Sequence, residues 1–220
     1  RRCQSRADFL YAQGTRPMKW DRILTYGLLS LLFIVDAVLL VRVFRLQEEI
    51  LLKDRIIDKL TMSQYIADCT ATNLNVNYRY GGLSVGDCEA EDSAGIRCPL
   101  MAIVRQPTLV FRYCDRACGE CISFGADKLA RELEGSNIPV VFLARYDNIQ
   151  EMRRQGPVVN PWGFRMLNVK KVLDLDERLI PYYCIIDERG IIHDIFIPEK
   201  SRPSMTNQYL ACIKDKYGNR

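Results

Sequence analysis

The feature that most constrains the fold is a cysteine cluster between a strand-like run and a helix-like run. Residues 109–121, LVFRYCDRACGEC, pack three cysteines into eight residues, and the last two, Cys118 and Cys121, form a CxxC pair. The run ahead of the cluster, 107–113, is apolar, aromatic and β-branched, which predicts a buried strand. The run after it, 122–133, has apolar residues at helical spacing and ends before a glycine. The chain is therefore expected to place the CxxC where a strand gives way to a helix.

This position predicts thiol chemistry. Unpaired N–H groups and the helix dipole favour a thiolate at Cys118, which is the reactive form. Cys121 lies three residues on and can resolve a mixed disulfide. Three neighbours are accessory candidates. Cys114 could compete for either cysteine, Arg116 would lower the pKa of a nearby thiol, and Glu120, inside the motif, would raise it.

Two other interpretations of the cluster stay open. One is a zinc site, for which Cys88, Cys98, Cys184 or His193 would have to supply the fourth ligand, although the chain has no second CxxC. The other is an inert structural disulfide. The redox interpretation is favoured over both, and it requires no metal or cofactor. Cys88 and Cys98 either bridge a short loop or stay free.

Composition narrows the function classes. Nine cysteines are many for a cytosolic chain of 220 residues and indicate an oxidising compartment or thiol chemistry. The net charge is only +4 with both signs mixed, and no basic stripe alternates with aromatic residues. A nucleic-acid partner is therefore not expected.

An apolar run near the N-terminus predicts a membrane span. Residues 24–41 are nearly all apolar, lie between Arg22 and Arg42, and are long enough to cross the hydrocarbon core as a helix. No small-residue cleavage site follows, so residues 23–44 are expected to be an uncleaved transmembrane signal anchor. Asp36 would be costly inside this span. The alternative is a buried helix of a soluble domain.

Residues 1–22 are expected to form a cytoplasmic tail. Of these, 1–17 precede Met18 and are either an untranslated upstream extension or part of that tail. Lysines and arginines flank the span on both sides, so the positive-inside rule does not decide its orientation. The cysteine content favours an external C-terminal domain.

Three further segments follow the span. Residues 45–67 are expected to form a helical stalk, 68–82 a linker or edge hairpin, and 83–220 the globular domain. The stalk would be either a weak coiled-coil homodimer or a lone amphipathic helix lying on the domain or the bilayer. Its apolar stripe consists of Leu46, Ile50, Ile57 and Leu60.

The domain shows an alternating order of elements. The patterns predict strands at 138–144, 182–186 and 191–197, helices at 147–155, 168–179 and 204–217, and a turn at 187–190.

This order, with its motifs, resembles the membrane-tethered TlpA-like thiol-disulfide proteins of bacteria, which are related to the alkyl hydroperoxide reductase (AhpC/TSA) superfamily. The matching motifs are VGD at 85–87, TLVFRY at 108–113, CGEC at 118–121 and an Ile-Pro, 180–181, that opens a strand ending in IIDERG. The resemblance implies an α/β, thioredoxin-like fold, with a central mixed sheet flanked by helices, behind the transmembrane helix and stalk.

The same resemblance implies roles for three residues. Cys118 would attack, Cys121 would resolve, and Pro181 would be a cis-proline that touches Cys118 and shapes the substrate groove. Two positions depart from the family pattern. Ala117 stands where the family has Trp, and Glu120 stands where it has Pro.

The expected function is that of a thiol-disulfide oxidoreductase, tethered to the bacterial inner membrane by a single span, with its C-terminal domain in the periplasm. Its partners would be client envelope proteins with cysteines and an electron donor or acceptor. Two alternatives remain open: a redox-inactive binding or scaffold module of the same fold, and a thiol peroxidase. No Pro-x-x-x-Thr-x-x-Cys pattern supports the peroxidase.

Overall fold

The computed structural model describes residues 19–218. The chain divides into two compact units, Arg1–Tyr65 and Ile66–Arg220. The expected tail, 1–22, lies almost entirely outside the described residues.

The first described element is a helix of 62 residues, α1 (Lys19–Tyr80). Residues 19–80 contain no proline, so no position lacks a backbone donor or forces a kink. The helix includes the predicted span, 23–44, and the predicted stalk, 45–67. It is long and apolar enough to cross a membrane, and the side chains of its apolar window are exposed.

The second unit is built on a mixed sheet. Its strands are β1 (Glu89–Glu91), β2 (Arg97–Pro99), β3 (Thr108–Cys114), β4 (Val140–Arg145), β5 (Arg165–Asn168), β6 (Tyr182–Ile186) and β7 (Ile192–Phe196), in the order β2-β1-β5-β4-β3-β6-β7. β3 pairs in parallel with β4, which pairs in parallel with β5, while β6 runs antiparallel to β3 and β7 antiparallel to β6. The run β4-β3-β6-β7 has the strand order and directions of the thioredoxin fold, which confirms the expected fold class.

The four strands of that run were predicted, and the other three were not. β1, β2 and β5 have only three or four residues each, too few for an alternating pattern to show. The helix predicted at 168–179 is wrong. Residue 168 ends β5, and only a short 3-10 turn, Asp174–Arg178, forms after it.

The linker predicted at 68–82 is also wrong, because α1 stays helical to Tyr80. Asn77 explains why: its side-chain oxygen accepts from the Ile195 N–H at 2.7 Å, and its amide donates to the Ile195 carbonyl. Asn73 likewise accepts from the Ile197 N–H at 2.7 Å. The polar residues of this segment, which suggest a loop in the sequence, therefore lie on a helix, and two of them, Asn73 and Asn77, bond the free backbone edge at β7. The compact unit accordingly begins at Ile66 instead of at residue 83.

The remaining helices are α2 (Gly119–Glu132), α3 (Ile149–Val159) and α4 (Pro203–Tyr217). They pack on one face of the sheet, whereas Val76 and Tyr80 of α1 pack on the other. Helix α2 lies close to the sheet at Gly125, where a Cβ atom would lie 2.8 Å from the Phe111 ring. Tyr183 secures that approach by donating its hydroxyl to the Gly125 carbonyl at 2.7 Å.

A buried ion pair joins β3 to the segment after β5. Arg112 and Asp176 are each 2% exposed and meet at 2.8 Å. Arg112 also donates to the Val169 carbonyl at 2.8 Å, and Asp176 accepts from the Tyr182 hydroxyl and the Val172 N–H, both at 2.8 Å. This pairing is what allows a charged residue in the middle of a buried strand.

The predicted turn between β6 and β7 is confirmed and is held by Asp187. Its carboxylate accepts from the N–H groups of Arg189 and Ile191 at 2.9 and 2.8 Å and lies 3.0 Å from His193 Nε2. Gly190 takes the left-handed conformation that closes the turn, with φ 78°. Burial raises the pKa of Asp187, but these hydrogen bonds outweigh it and hold the pKa at about 2.

Candidate active site

The CxxC lies between the end of β3 and the first turn of α2, as predicted. β3 is buried along its whole length and ends at Cys114, whose carbonyl accepts from the Ala117 N–H at 2.9 Å to form a tight turn. Cys118 is the residue immediately before α2. Its carbonyl accepts from the N–H groups of Cys121 and Ile122, both at 3.0 Å, which starts the helix. The thiol of Cys118 therefore stands at the positive end of the helix dipole.

The two cysteines of the motif have different surroundings. Cys118 is exposed and Cys121 is half-buried, and both are present as thiols. A hydrogen bond from the Cys121 thiol, followed by backbone N–H donation, lowers the pKa of Cys118. The same hydrogen bond, with burial, raises the pKa of Cys121 to about 11. Cys118 therefore ionises more readily than Cys121.

Glu120, the acid between the two cysteines, is ion-paired with Lys200. Lys200 belongs to the loop between β7 and α4 and is eighty positions away in the chain. The pairing lowers the pKa of Glu120, chiefly through the hydrogen bond. Lys200 has no local pattern that marks it in the sequence, and only the return of β7 to this end of the sheet brings it to the motif.

The other accessory candidates have partners of their own. Arg116 pairs with Asp147 at 2.5 Å, with both side chains largely exposed. Cys114 is buried at the end of β3, and its thiol donates to the Asp115 carboxylate at 3.3 Å. Arg116 is therefore engaged with a carboxylate, and Cys114 faces away from solvent.

Pro181 lies at the same end of the sheet as the CxxC, but its predicted conformation is wrong. The ladder pairs Arg112 with Tyr182, so the residue before Tyr182 sits beside the end of β3. Among residues 19–218 no peptide bond is cis, so the Ile180–Pro181 bond is trans. The chain changes direction two residues before Pro181, at Leu179, which takes a left-handed conformation with φ 53°. The role of Pro181 in shaping a substrate groove stays a prediction.

The alternative roles for the cysteines find little geometric support in the part of the chain that the structure describes. No group of three or more His, Cys, Asp or Glu side chains is placed there to hold a metal. Cys88 directly precedes β1, and Cys98 lies in β2, where Ala90 is the residue opposite it. Both are free thiols.

No family model matches the chain, and no curated protein matches it. Solved structures that are similar to it include peroxidoxin BcpB from Mycobacterium tuberculosis, at 17% identity and a TM-score of 0.45, covering 62% of this chain and 97% of that one. A secreted disulfide oxidoreductase of M. tuberculosis homologous to E. coli DsbE is similar at 12% identity and a TM-score of 0.40, covering 57% and 96%. A thiol:disulfide interchange protein from Bacteroides sp. is similar at 12% identity and a TM-score of 0.41, covering 64% and 91%. The thioredoxin fold of this chain rests on its own strand order.

Proposed function

We propose that the chain is a membrane-tethered thiol-disulfide oxidoreductase that exchanges disulfides with cysteine-containing envelope proteins through Cys118 and Cys121. The observation that carries the proposal is the asymmetry of the two thiols. Cys118 is exposed with a lowered pKa, and Cys121 is half-buried with a pKa of about 11. An attacking thiol must be ionised and accessible, whereas a resolving thiol must wait until a mixed disulfide exists.

The exchange has two steps. The Cys118 thiolate attacks one sulfur of a client disulfide, an S–S bond to the client forms, and the other client sulfur leaves as a thiolate. Cys121 then loses its proton to solvent and attacks Cys118, which forms the Cys118–Cys121 disulfide and releases the second client sulfur. The client gains two electrons and the CxxC loses two. The reverse sequence oxidises a client, and the reduction potential of the pair decides the direction: about −270 mV would indicate a reductant and about −120 mV an oxidant.

Insulin reduction by the full chain in detergent, with dithiothreitol as electron donor, tests this activity. Cys118→Ser should abolish turnover, while Cys212→Ser, which removes another exposed thiol, should leave it unchanged. Cys121→Ser should accumulate a mixed disulfide between Cys118 and insulin, visible on a non-reducing gel. Turnover that survives Cys118→Ser would refute the proposal.

The same preparation separates the two alternatives. Peroxide consumption without insulin reduction would assign the chain as a thiol peroxidase. A wild-type chain that does neither, although Cys118 is alkylated normally, would be a binding or scaffold module of the same fold.

We place residues 23–44 across the bacterial inner membrane, with the C-terminal domain in the periplasm. The apolar stretch of α1, whose side chains are exposed, supports a span. The protein should stay in the membrane after a high-salt wash, and a membrane-impermeant maleimide should label Cys212 in intact spheroplasts. Recovery in the soluble fraction, or labelling of Cys212 only after lysis, would contradict the placement.

The stalk, 45–67, is proposed to form a weak homodimer. Its apolar stripe is exposed and alternates at spacings of three and four, apart from Lys53. Ile57→Glu should reduce chemical cross-linking between copies, while Met62→Glu, an exposed position off the stripe, should not. Equal cross-linking in the two variants would favour a single helix.

A further inference from the structure

The CxxC motif of this chain contains an acid, and a distant lysine covers it. Glu120 lies in the first turn of α2, inside the motif, and its carboxylate is ion-paired with the Lys200 ammonium. The two side chains are 76% and 53% exposed. An exposed ion pair adds little to stability because water and salt screen it. The ion pair instead influences how readily the two nearby thiols ionise.

Charged groups of α2 and of the β7–α4 loop lie near the two cysteines. The backbone N–H of Glu120 lowers the pKa of Cys118, whereas its carboxylate raises that pKa, since a carboxylate disfavours a neighbouring thiolate. Lys200 lowers the pKa of Cys121, while Glu199 of the same loop raises it. The influence is mutual, because Glu120 first, and then the two thiols, raise the pKa of Lys200. The charged groups that face the thiols are therefore Glu120 from α2 and Glu199 and Lys200 from the β7–α4 loop.

We propose that Lys200 is a positioning residue of the redox site, which holds the Glu120 carboxylate in an ion pair and cancels its action on Cys118. The motif can then carry an acid and still expose a reactive thiolate. The purpose of this arrangement rests on the proposed oxidoreductase function, but its effect on Cys118 can be measured without turnover.

The charges predict opposite effects for the two single substitutions. Lys200→Gln leaves Glu120 uncompensated, so Cys118 should ionise at higher pH. Glu120→Gln removes the acid and leaves the lysine, so Cys118 should ionise at lower pH. A unit charge acting through water at several ångströms moves a pKa by roughly half a unit, which is the size expected for each shift. The double variant should titrate close to wild type, and Lys200→Arg should restore the wild-type profile.

The measurement is the rate of iodoacetamide alkylation of the reduced, full-length chain in detergent micelles as a function of pH. Trypsin releases residues 117–128 with both cysteines, and fragmentation of that peptide in the mass spectrometer separates Cys118 from Cys121. Lys216→Gln is the matched control. Lys216 also forms an exposed ion pair, with Asp194 at 2.8 Å, but it lies in the last turn of α4, about 20 Å along the helix axis from the helix start near Lys200.

In Lys200→Gln, the alkylation rate of Cys118 is expected to rise at a higher pH than in the wild-type chain. Lys216→Gln should show no such shift. The shift should shrink in 1 M salt, where the screening length is about 3 Å. Equal profiles in the two lysine variants, or shifts in the same direction for Lys200→Gln and Glu120→Gln, would overturn the inference. A shifted profile in a chain without insulin turnover would refute only the proposed function. Normal turnover with an unshifted profile would refute only the role of Lys200.

Discussion

The capping of the β7 edge by α1 can be tested with one side chain. Asn77 bonds both backbone groups of Ile195, accepting from its N–H at 2.7 Å and donating to its carbonyl. Asn77→Ala removes both partners at once. We expect this substitution to lower the free energy of unfolding, although alanine is the better helix former.

The size of the effect follows from the groups left unpaired. A buried backbone group without a partner costs about 1–3 kcal/mol, and Asn77 is half-buried, so water recovers part of the loss at the two Ile195 groups. The expected loss is about 2 kcal/mol. Against it stands a gain of roughly 0.5 kcal/mol in helix propensity. Asn75→Ala makes the same chemical change at an exposed position two residues away on the same helix, so the difference between the two variants isolates the capping.

Urea unfolding of the compact unit that begins at Ile66, followed by circular dichroism, measures this difference. A gap of about 2 kcal/mol corresponds to a midpoint shift of about 1 M for a slope of about 2 kcal/mol per molar urea. A chain starting at residue 83 lacks both asparagines and the buried Val76 and Tyr80, and it should not unfold cooperatively. Equal midpoints for Asn77→Ala and Asn75→Ala would refute the reasoning.

Three further predictions concern stability. Gly125→Ala places a Cβ atom 2.8 Å from the Phe111 ring and should cost about 1–3 kcal/mol in urea unfolding; an unchanged midpoint would contradict the close approach. Because the pKa of Asp187 is held at about 2 in the folded chain against 3.8 ordinarily, its contribution of about 2 kcal/mol is present above pH 4 and is lost as pH falls to 2. In Asp187→Asn, the free energy of unfolding should change less between pH 4 and pH 2 than in the wild-type chain. An equally steep fall in the variant would argue against this role of Asp187. Arg112→Met leaves Asp176 buried without its cation and should cost about 3–5 kcal/mol, most of which Arg112→Met with Asp176→Leu should recover; a double variant no more stable than the single would exclude the ion pair as the cause.

The local pattern was sufficient to predict the core of the site. A strand's apolar run, a CxxC and a helical repeat lie next to each other in the chain, so the position of Cys118 at a helix start depends on neighbours within a few residues. The same holds for the Asp187 turn, and for the four strands long enough to show a pattern.

Pro181 shows the limit of inference from a family pattern. A cis or trans bond depends on how the whole segment enters the strand, and here Leu179 turns the chain before the proline is reached.

By itself, then, the sequence determined the segments whose order is set by contacts along the chain: the apolar helix, the strand–CxxC–helix unit and the thioredoxin-like succession of elements. Only the tertiary structure decided which polar residues that are distant in the chain contact one another. Asn73 and Asn77 belong to the helix because β7 offers unpaired backbone groups, Arg112 belongs to the core because Asp176 reaches it, and Lys200 belongs to the site because the sheet returns it to Glu120. A hydrogen bond or ion pair needs a partner at about 3 Å, and no spacing along the chain specifies a partner that lies 64 to 124 positions away.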